Sequence, residues 1–258
     1  MDKHLALFVC NILSKKRKTI LGIVYLLSSS MLTLFFVACG GGTSGGSDSS
    51  LASDFLIDSR DGQKYKIVQI DEQWWMAENL RFAYAQRTAE LDSSSVCIEN
   101  DPEKCREYGR FYTWAAAMDS LGLWGPNGKG CGYGVSCHPT ESVRGVCPEG
   151  WHLPSNEDWS NLILAIGGYE VAGKLLKSTS GWTRDGNGSD EFSFAAYPAG
   201  GRGGAGNYNH EGFYAHFWSS TMGNIANAYN LELGFYSDRP YMACDHPGIG
   251  YSVRCIKD

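Results

Sequence analysis

Cys147-Pro148-Glu149-Gly150-Trp151-His152-Leu153-Pro154-Ser155-Asn156-Glu157-Asp158-Trp159 runs from a cysteine through an apolar segment punctuated by Pro and Gly into a helix start. Ser155 stands where an N-cap belongs, with Pro154 before it and an acid, Asp158, three residues on, the pattern of a capping box. Leu162, Ile163, Ala165 and Ile166 follow with helical periodicity, and Gly167-Gly168 ends the run. The spacing predicts one well-capped helix, entered from a short apolar segment.

Downstream, a second short helix is expected over 170–177. After Trp182 the texture changes to short runs parted by glycine: Phe192-Ser193-Phe194-Ala195-Ala196-Tyr197, Phe217-Trp218-Ser219-Ser220-Thr221, Ala228-Tyr229-Asn230-Leu231-Glu232-Leu233 and Tyr251-Ser252-Val253-Arg254-Cys255-Ile256. These read as strands of an antiparallel sheet. Upstream, alternation through Tyr65 and Ile67, an interruption at Asp71-Glu72 and resumption from Gln73 to Met76 predict a hairpin. Alanine density from Thr113 to Ser120 predicts a short helix. No repeat occurs at solenoid periods. Residues 55–258 thus read as one α+β domain, within the size of a single core.

The amino terminus reads as an address. Lys15-Lys16-Arg17-Lys18 precedes nineteen uncharged residues, Ile20 to Ala38, which end at Cys39 and a Gly/Ser-rich stretch. A positive segment before an apolar one is the layout of a secretory signal. Small residues before a cysteine and a flexible tether after it resemble a bacterial lipoprotein signal. That resemblance implies a signal peptide over 1–38, cleavage before Cys39, and acylation of Cys39, with 39–54 as tether. The implied partner is the lipid bilayer, held through the acyl chains of Cys39. Gly40 lacks the acidic character of an inner-membrane retention signal, which points to the outer membrane of a bacterial cell envelope. The competing reading is an uncleaved span, since nineteen apolar residues approach the roughly 20 that cross a bilayer. The Gly-x-Ser-x-Gly at Gly42 to Gly46 lies in the polar tether, without the strand and helix that a nucleophile elbow requires.

With 43% hydrophobic, 19% charged and 13% aromatic residues and 32 glycines, the 258-residue chain has the profile of a folded, loop-rich protein. Five of its 22 basic and one of its 28 acidic residues fall in the first 38, leaving the remainder with a net charge of −10. An acidic body repels phosphate backbones, so nucleic acid is no expected partner.

Seven cysteines lie in the body: Cys97, Cys105, Cys131, Cys137, Cys147, Cys244 and Cys255. In an exported chain they read first as disulfide partners. Cys97 and Cys105 bracket an acidic loop with Asp101-Pro102, and Cys131 and Cys137 bracket a tight glycine-containing loop. A Cys147 to Cys255 bridge would close about a hundred residues, worth roughly 4–5 kcal/mol in a chain-entropy account. Cys244 is then left over, and with seven cysteines at least one is free or joined to a second molecule, a disulfide-linked dimer being the expected form of the latter. The alternative is a zinc site of Cys131, Cys137, His138 and Cys147, whose spacings are wider than the close pairs of structural zinc sites. No metal site or cofactor is expected.

Several phrases carry a resemblance over about 58–258. They are Asp61-Gly62-Gln63-Lys64-Tyr65, Trp75-Met76-Ala77-Glu78-Asn79-Leu80, Tyr112-Thr113-Trp114-Ala115-Ala116-Ala117-Met118, Asn127-Gly128-Lys129-Gly130-Cys131-Gly132-Tyr133-Gly134, Val143-Arg144-Gly145-Val146-Cys147 on to Ser155, Phe217 to Thr221, and Ser252-Val253-Arg254-Cys255-Ile256-Lys257-Asp258. Together they resemble the Fibrobacter succinogenes major paralogous domain family, found on exported proteins and lipoproteins, whose biochemical role is not established. Trp151 to Ser155 before a helix and the closing Ser252 to Cys255 look like the C-type-lectin-like fold. This implies a mixed or antiparallel sheet, flanking short helices, long Gly/aromatic-rich loops and a first-to-last disulfide matching Cys147 to Cys255. The calcium-binding phrases of the sugar-binding lectins do not occur, and Trp218 is followed by Ser219-Ser220, so a calcium-dependent sugar site is not implied. The cysteine pair of formylglycine-generating enzymes has no counterpart.

Three functions compete. Tyr208, His210, Phe213, Tyr214, Tyr236, Asp238, Arg239 and Tyr241 gather rings and hydrogen-bonding groups in a glycine-rich stretch, which suits a surface module binding glycan or an envelope protein. A structural or adhesive envelope component differs from it only in partner. An enzyme acting on polysaccharide or protein side chains would draw on Glu211, Asp238 and Asp245 with His210 and His246, yet no catalytic motif is present and no catalytic residue is assigned. Trp74, Trp75, Trp151, Trp159 and Trp218 read as core.

Overall fold

The structure, a computed structural model, describes residues 55–86 and 94–258. The leader, the tether and Cys39 lie outside the described residues. Asp54–Asp258 form one compact unit.

Its first sheet is a five-stranded antiparallel one. β1 (Phe55–Ile57), β2 (Lys64–Ile70) and β3 (Gln73–Met76) meander, and β12 (Ile256–Lys257) inserts between β3 and β6 (Trp151–His152). The β2–β3 hairpin turns on Asp71-Glu72, Asp71 taking a left-handed φ of 56°, which a short polar side chain tolerates in a two-residue loop. The last strand is thereby a hydrogen-bonded neighbour of β3, and the Cys147–Cys255 disulfide ties the segment leading into β6 to the approach of β12. A second antiparallel sheet runs β11 (Tyr241–Asp245), β10 (Asn227–Gly234), β9 (Tyr214–Asn224). Two small ribbons pair β4 (Ser95–Cys97) with β5 (Arg110–Tyr112) and β7 (Gly201–Arg202) with β8 (Tyr208–Asn209). The architecture is α+β with mostly antiparallel sheets.

Among the described residues, four short α-helices flank these sheets. α1 (Pro102–Tyr108) has Pro102 at its first turn and Asp101 accepting from the Glu103 N–H. α2 (Trp114–Ala117) is capped by Thr113. α3 (Asn156–Ala165) carries the expected capping box of Ser155 and Asp158, and α4 (Ala172–Leu176) follows.

Most of the core lies in two clusters, with a small third one of Ile98, Phe111 and Ala199. One cluster gathers Trp114, Trp218, Tyr112, Trp151 and Val253; the other gathers Trp75, Trp159, Phe194, Phe217 and Leu231. Trp75 and Trp159 pack with ring centroids 4.9 Å apart, and the buried indoles of Trp114 and Trp218 donate to the Ser219 and Tyr112 carbonyls at 2.8 and 2.7 Å. Trp74 is half-buried. Each ring adds roughly 2–3 kcal/mol of burial, and the paired N–H groups avoid the desolvation loss that a lone indole suffers.

Met118 to Gly150 contains neither helix nor strand. It is held by backbone contact with α2: a Cβ on Gly128 would lie 1.7 Å from the Met118 oxygen, and one on Gly145 2.1 Å from the Ala117 oxygen. That approach lets the Val146 N–H donate to Ala117 at 2.9 Å.

Six of the body cysteines pair as Cys97–Cys105, Cys131–Cys137 and Cys147–Cys255. Those bonds consume the three thiolates of the zinc alternative, which is thereby excluded. Cys244, the leftover of the sequence count, is buried on β11 and is not without a partner.

Two expected strands are corrected. Residues 192–197 form no strand: Ser193 and Ala195 take positive φ, and only Ala196 bridges, to Lys177. The Arg254 guanidinium donates to the carbonyls of Phe194 and Ala195, satisfying groups that a strand would have spent on a neighbour. The 251–256 run keeps only its end as strand; Tyr251 and Ser252 make single bridges to Tyr112 and Phe217. β4, α1 and β11 were not anticipated, being short or stabilised by contacts distant in sequence.

Candidate functional site

Alternation along β9, β10 and β11 sends Ala215, Phe217, Leu231, Leu233 and Met242 into the second core cluster. The residues between them stand on the other face. There the register places Glu232 between His216 and Tyr241, and Gly234 beside Tyr214. Gly234 leaves room for the Tyr236 ring, which lies 2.9 Å from where its Cβ would be.

Three tyrosines therefore meet around one carboxylate. Tyr214 and Tyr236 pack edge to face at 6.1 Å, and Tyr236 lies within the fields of Glu232, Tyr214 and Tyr241. Burial first, then Glu232 and the neighbouring phenols, push the Tyr236 pKa up to about 12, so it remains a neutral hydroxyl. Tyr236 is nonetheless 58% exposed and Tyr241 40%. Both are rings that water does not have to be cleared from at depth.

Below this surface lies a buried polar row. His216, 5% exposed, is sandwiched between Tyr214 at 5.7 Å and Tyr251 at 4.3 Å. Its Nδ1 stands 3.2 Å from Asn230 Oδ1 and 3.8 Å from Glu232 Oε2. Asn230 Nδ2 and the Tyr251 hydroxyl both donate to Asp245 Oδ2 at 3.1 Å. Burial and Asp245 raise the Tyr251 pKa well above the phenolic range, keeping it a donor. The row fixes the rotamers beneath the exposed rings, and what it offers a ligand is rigid aromatic area edged by one carboxylate and several hydroxyls.

Of the residues singled out in the sequence, Tyr214, Tyr236 and Tyr241 come together here, and His210 joins them through its ring contact with Tyr214 at 5.2 Å. Tyr208 does not: it donates to the Cys97 carbonyl at 2.9 Å and packs on Phe111. Arg239 pairs with Glu170 at 3.1 Å, and the Asp238 carbonyl accepts from Gly173. Phe213 packs on Phe235. The acids and histidines weighed for catalysis are spread among different contacts. Glu211 pairs with Lys104, Asp245 takes the two hydrogen bonds above, and His246 lies against Tyr133 and accepts from the Gly248 N–H. Sequence reading missed Glu232, His216, Asn230 and Tyr251. The signal was the period-two alternation in His216-Phe217-Trp218 and Asn230-Leu231-Glu232-Leu233, which assigns the polar members to one face.

No group of three His, Cys, Asp or Glu side chains among the described residues is arranged to hold a metal ion. Also among the described residues, no helix is long and apolar enough to cross a membrane. Neither the curated proteins nor the solved structures offer a match to this chain. The sequence model of the Fibrobacter succinogenes major domain matches residues 68–257, from β2 to β12 and so through the two larger sheets and the four helices described above, and the chain belongs to that family.

Proposed function

We propose that this protein is an exported lipoprotein, anchored in the outer membrane through acylated Cys39, whose C-type-lectin-like domain binds a glycan on the tyrosine face of β9–β11. The observation that carries the binding assignment is the convergence of Tyr214, Tyr236 and Tyr241 on Glu232, with two of the rings exposed over a buried, hydrogen-bonded row. Exposed rings stack on the C–H faces of sugars, and a carboxylate beside them accepts from hydroxyl pairs. The lectin-like reading is supported by the insertion of the last strand, β12, between β3 and β6 and by the Cys147–Cys255 disulfide beside it. The anchor is supported by the charged and apolar leader that ends at Cys39 before Gly/Ser residues.

The test is a glycan array probed with the full chain extracted from its membrane, with a Tyr236→Ala variant alongside and intact mass measured on the same preparation. The expected outcome is retention on a defined set of glycans, a loss of about tenfold in affinity for Tyr236→Ala, and a mass that carries acyl chains on Cys39. Absence of glycan retention, or equal binding by Tyr236→Ala, would overturn the binding assignment and leave a protein-binding or structural envelope component. An intact leader would overturn the anchor.

A further inference from the structure

A cleft of about 480 Å³ opens elsewhere in the molecule, with Tyr108, Thr183, Glu211 and Phe213 on its walls. That is within the range of small-ligand sites. Gly181 and Gly212 bring bare backbone to it, both at positive φ. A second ring, Tyr197, packs edge to face on Tyr108 at 6.1 Å.

The wall is built by a stapled element. Lys104 and Tyr108 are four residues apart on α1 and so share a helix face, and the Cys97–Cys105 disulfide ties that helix to β4. The Arg110 guanidinium lies 3.3 Å from Cys97 Sγ and closes the other side. From this face Lys104 Nζ reaches both Glu99, at 3.0 Å, and Glu211, at 3.1 Å. Glu211 therefore enters the cleft as a carboxylate already neutralised by an ammonium group. Such a pair is a hydrogen-bond acceptor beside a donor, and a poor counter-ion for a cation. Burial first, and then Glu107 and Glu211, push the Tyr108 pKa up to about 12, which leaves its hydroxyl protonated.

We propose that this cleft is a second binding site, distinct from the tyrosine face, and that it takes a neutral saccharide, with a pyranose ring on the Tyr108 and Phe213 rings and its hydroxyls shared between Glu211, Lys104 and Thr183. The site combines aromatic walls, a carboxylate paired with an ammonium group and a volume suited to one or two sugar rings.

The test titrates the full chain with neutral oligosaccharides of glucose, mannose and galactose, with oligogalacturonate as the anionic probe and tetramethylammonium as the cationic one. Calorimetry gives the affinity, and saturation-transfer NMR reports ligand contact with tyrosine rings. Binding of at least one neutral series is expected to persist in a Tyr236→Ala background that removes the tyrosine face, and to be weakened about tenfold there by Glu211→Gln and by Tyr108→Ala. Glu211→Gln alters an exposed side chain, so it remains informative if Tyr108→Ala fails to fold; Thr183→Val serves as a further variant. Preference for tetramethylammonium or oligogalacturonate, or neutral binding that Glu211→Gln leaves intact, overturns the proposal. Binding lost only in Tyr236→Ala overturns this cleft while sustaining the tyrosine face.

Discussion

Arg254 holds more of the fold than its place in a short closing phrase suggests. Its side chain is 1% exposed, and its Nε donates to Asn79 Oδ1 at 2.8 Å while its two terminal nitrogens serve the Phe194 and Ala195 carbonyls. The guanidinium plane also lies over the Phe194 ring, 4.4 Å from its centroid. Burial pulls its pKa down to about 9, against the opposing pull of Asp190 and Glu78, so the group remains charged at neutral pH. Asn79 and Arg254 were legible as members of recurring phrases, but nothing in their spacing says that they meet across 175 positions. Substituting Arg254→Met keeps much of the volume and strands three acceptors. The expected loss is about 3 kcal/mol or more in urea denaturation, with Arg254→Lys recovering only part of it because an ammonium cannot match the planar fork. A loss under 1 kcal/mol for Arg254→Met would show that the network is not a support.

At the scale of elements, helices announced by local chemistry were legible and strands defined by remote partners were not. The α3 capping box needs only Ser155 and Asp158, and α2 only Thr113 and its alanines, whereas the course of 192–197 depends on Arg254. The same limit applies to the candidate site, whose tyrosines were visible as a composition but whose Glu232 became part of it only through the β9–β10–β11 register. One junction of elements makes stability depend on pH. His152, on β6, stands with Nδ1 at 2.7 Å from Asp258 Oδ1 and Nε2 at 3.7 Å from Asp158 Oδ2 at the start of α3. Burial draws the His152 pKa down, but hydrogen bonds and charge from Asp158 and Asp258 outweigh it, and the net shift is upward. Burial raises Asp158 in its turn, and its bonds to His152 and Ser155 bring the net shift below the usual carboxylate value. A raised histidine contributes stability that is whole below its unfolded pKa and fades as pH climbs through the folded one. A lowered carboxylate contributes stability that is whole above its unfolded pKa and fades as pH falls through the folded one. The junction is thus strongest between about pH 4 and pH 6.5. Urea midpoints measured across pH 4–9 should fall more steeply above pH 6.5 in the parent than in His152→Gln, and parallel profiles would remove His152 from the account.

At the scale of the whole unit, the organising fact is that the last strand closes the sheet begun by the first three, and a chain folded this way gains most from the bridge that closes its longest loop. Cys147 and Cys255 are 108 positions apart, against 8 for Cys97 and Cys105. Loop-closure entropy assigns the long bridge about 4.8 kcal/mol and the short one about 2.5 kcal/mol. Their native surroundings differ in the same direction, since Cys147 and Cys255 are both fully buried in the first core cluster, where alanine also leaves a void. The double variant Cys147→Ala with Cys255→Ala should therefore lose about 2 kcal/mol more than Cys97→Ala with Cys105→Ala in equilibrium denaturation without reductant. It should also show a larger m-value, because an unfolded chain freed of the long loop exposes more surface. The short-bridge variant should retain the sheets and lose chiefly the anchorage of α1, so its circular dichroism would stay near that of the parent while hydrogen exchange quickens over 98–108. Equal losses in the two variants would mean that the closure of the sheet by β12 holds without its staple, and that hydrogen bonding to β3 and β6 with packing of Ile256 is the main fastening.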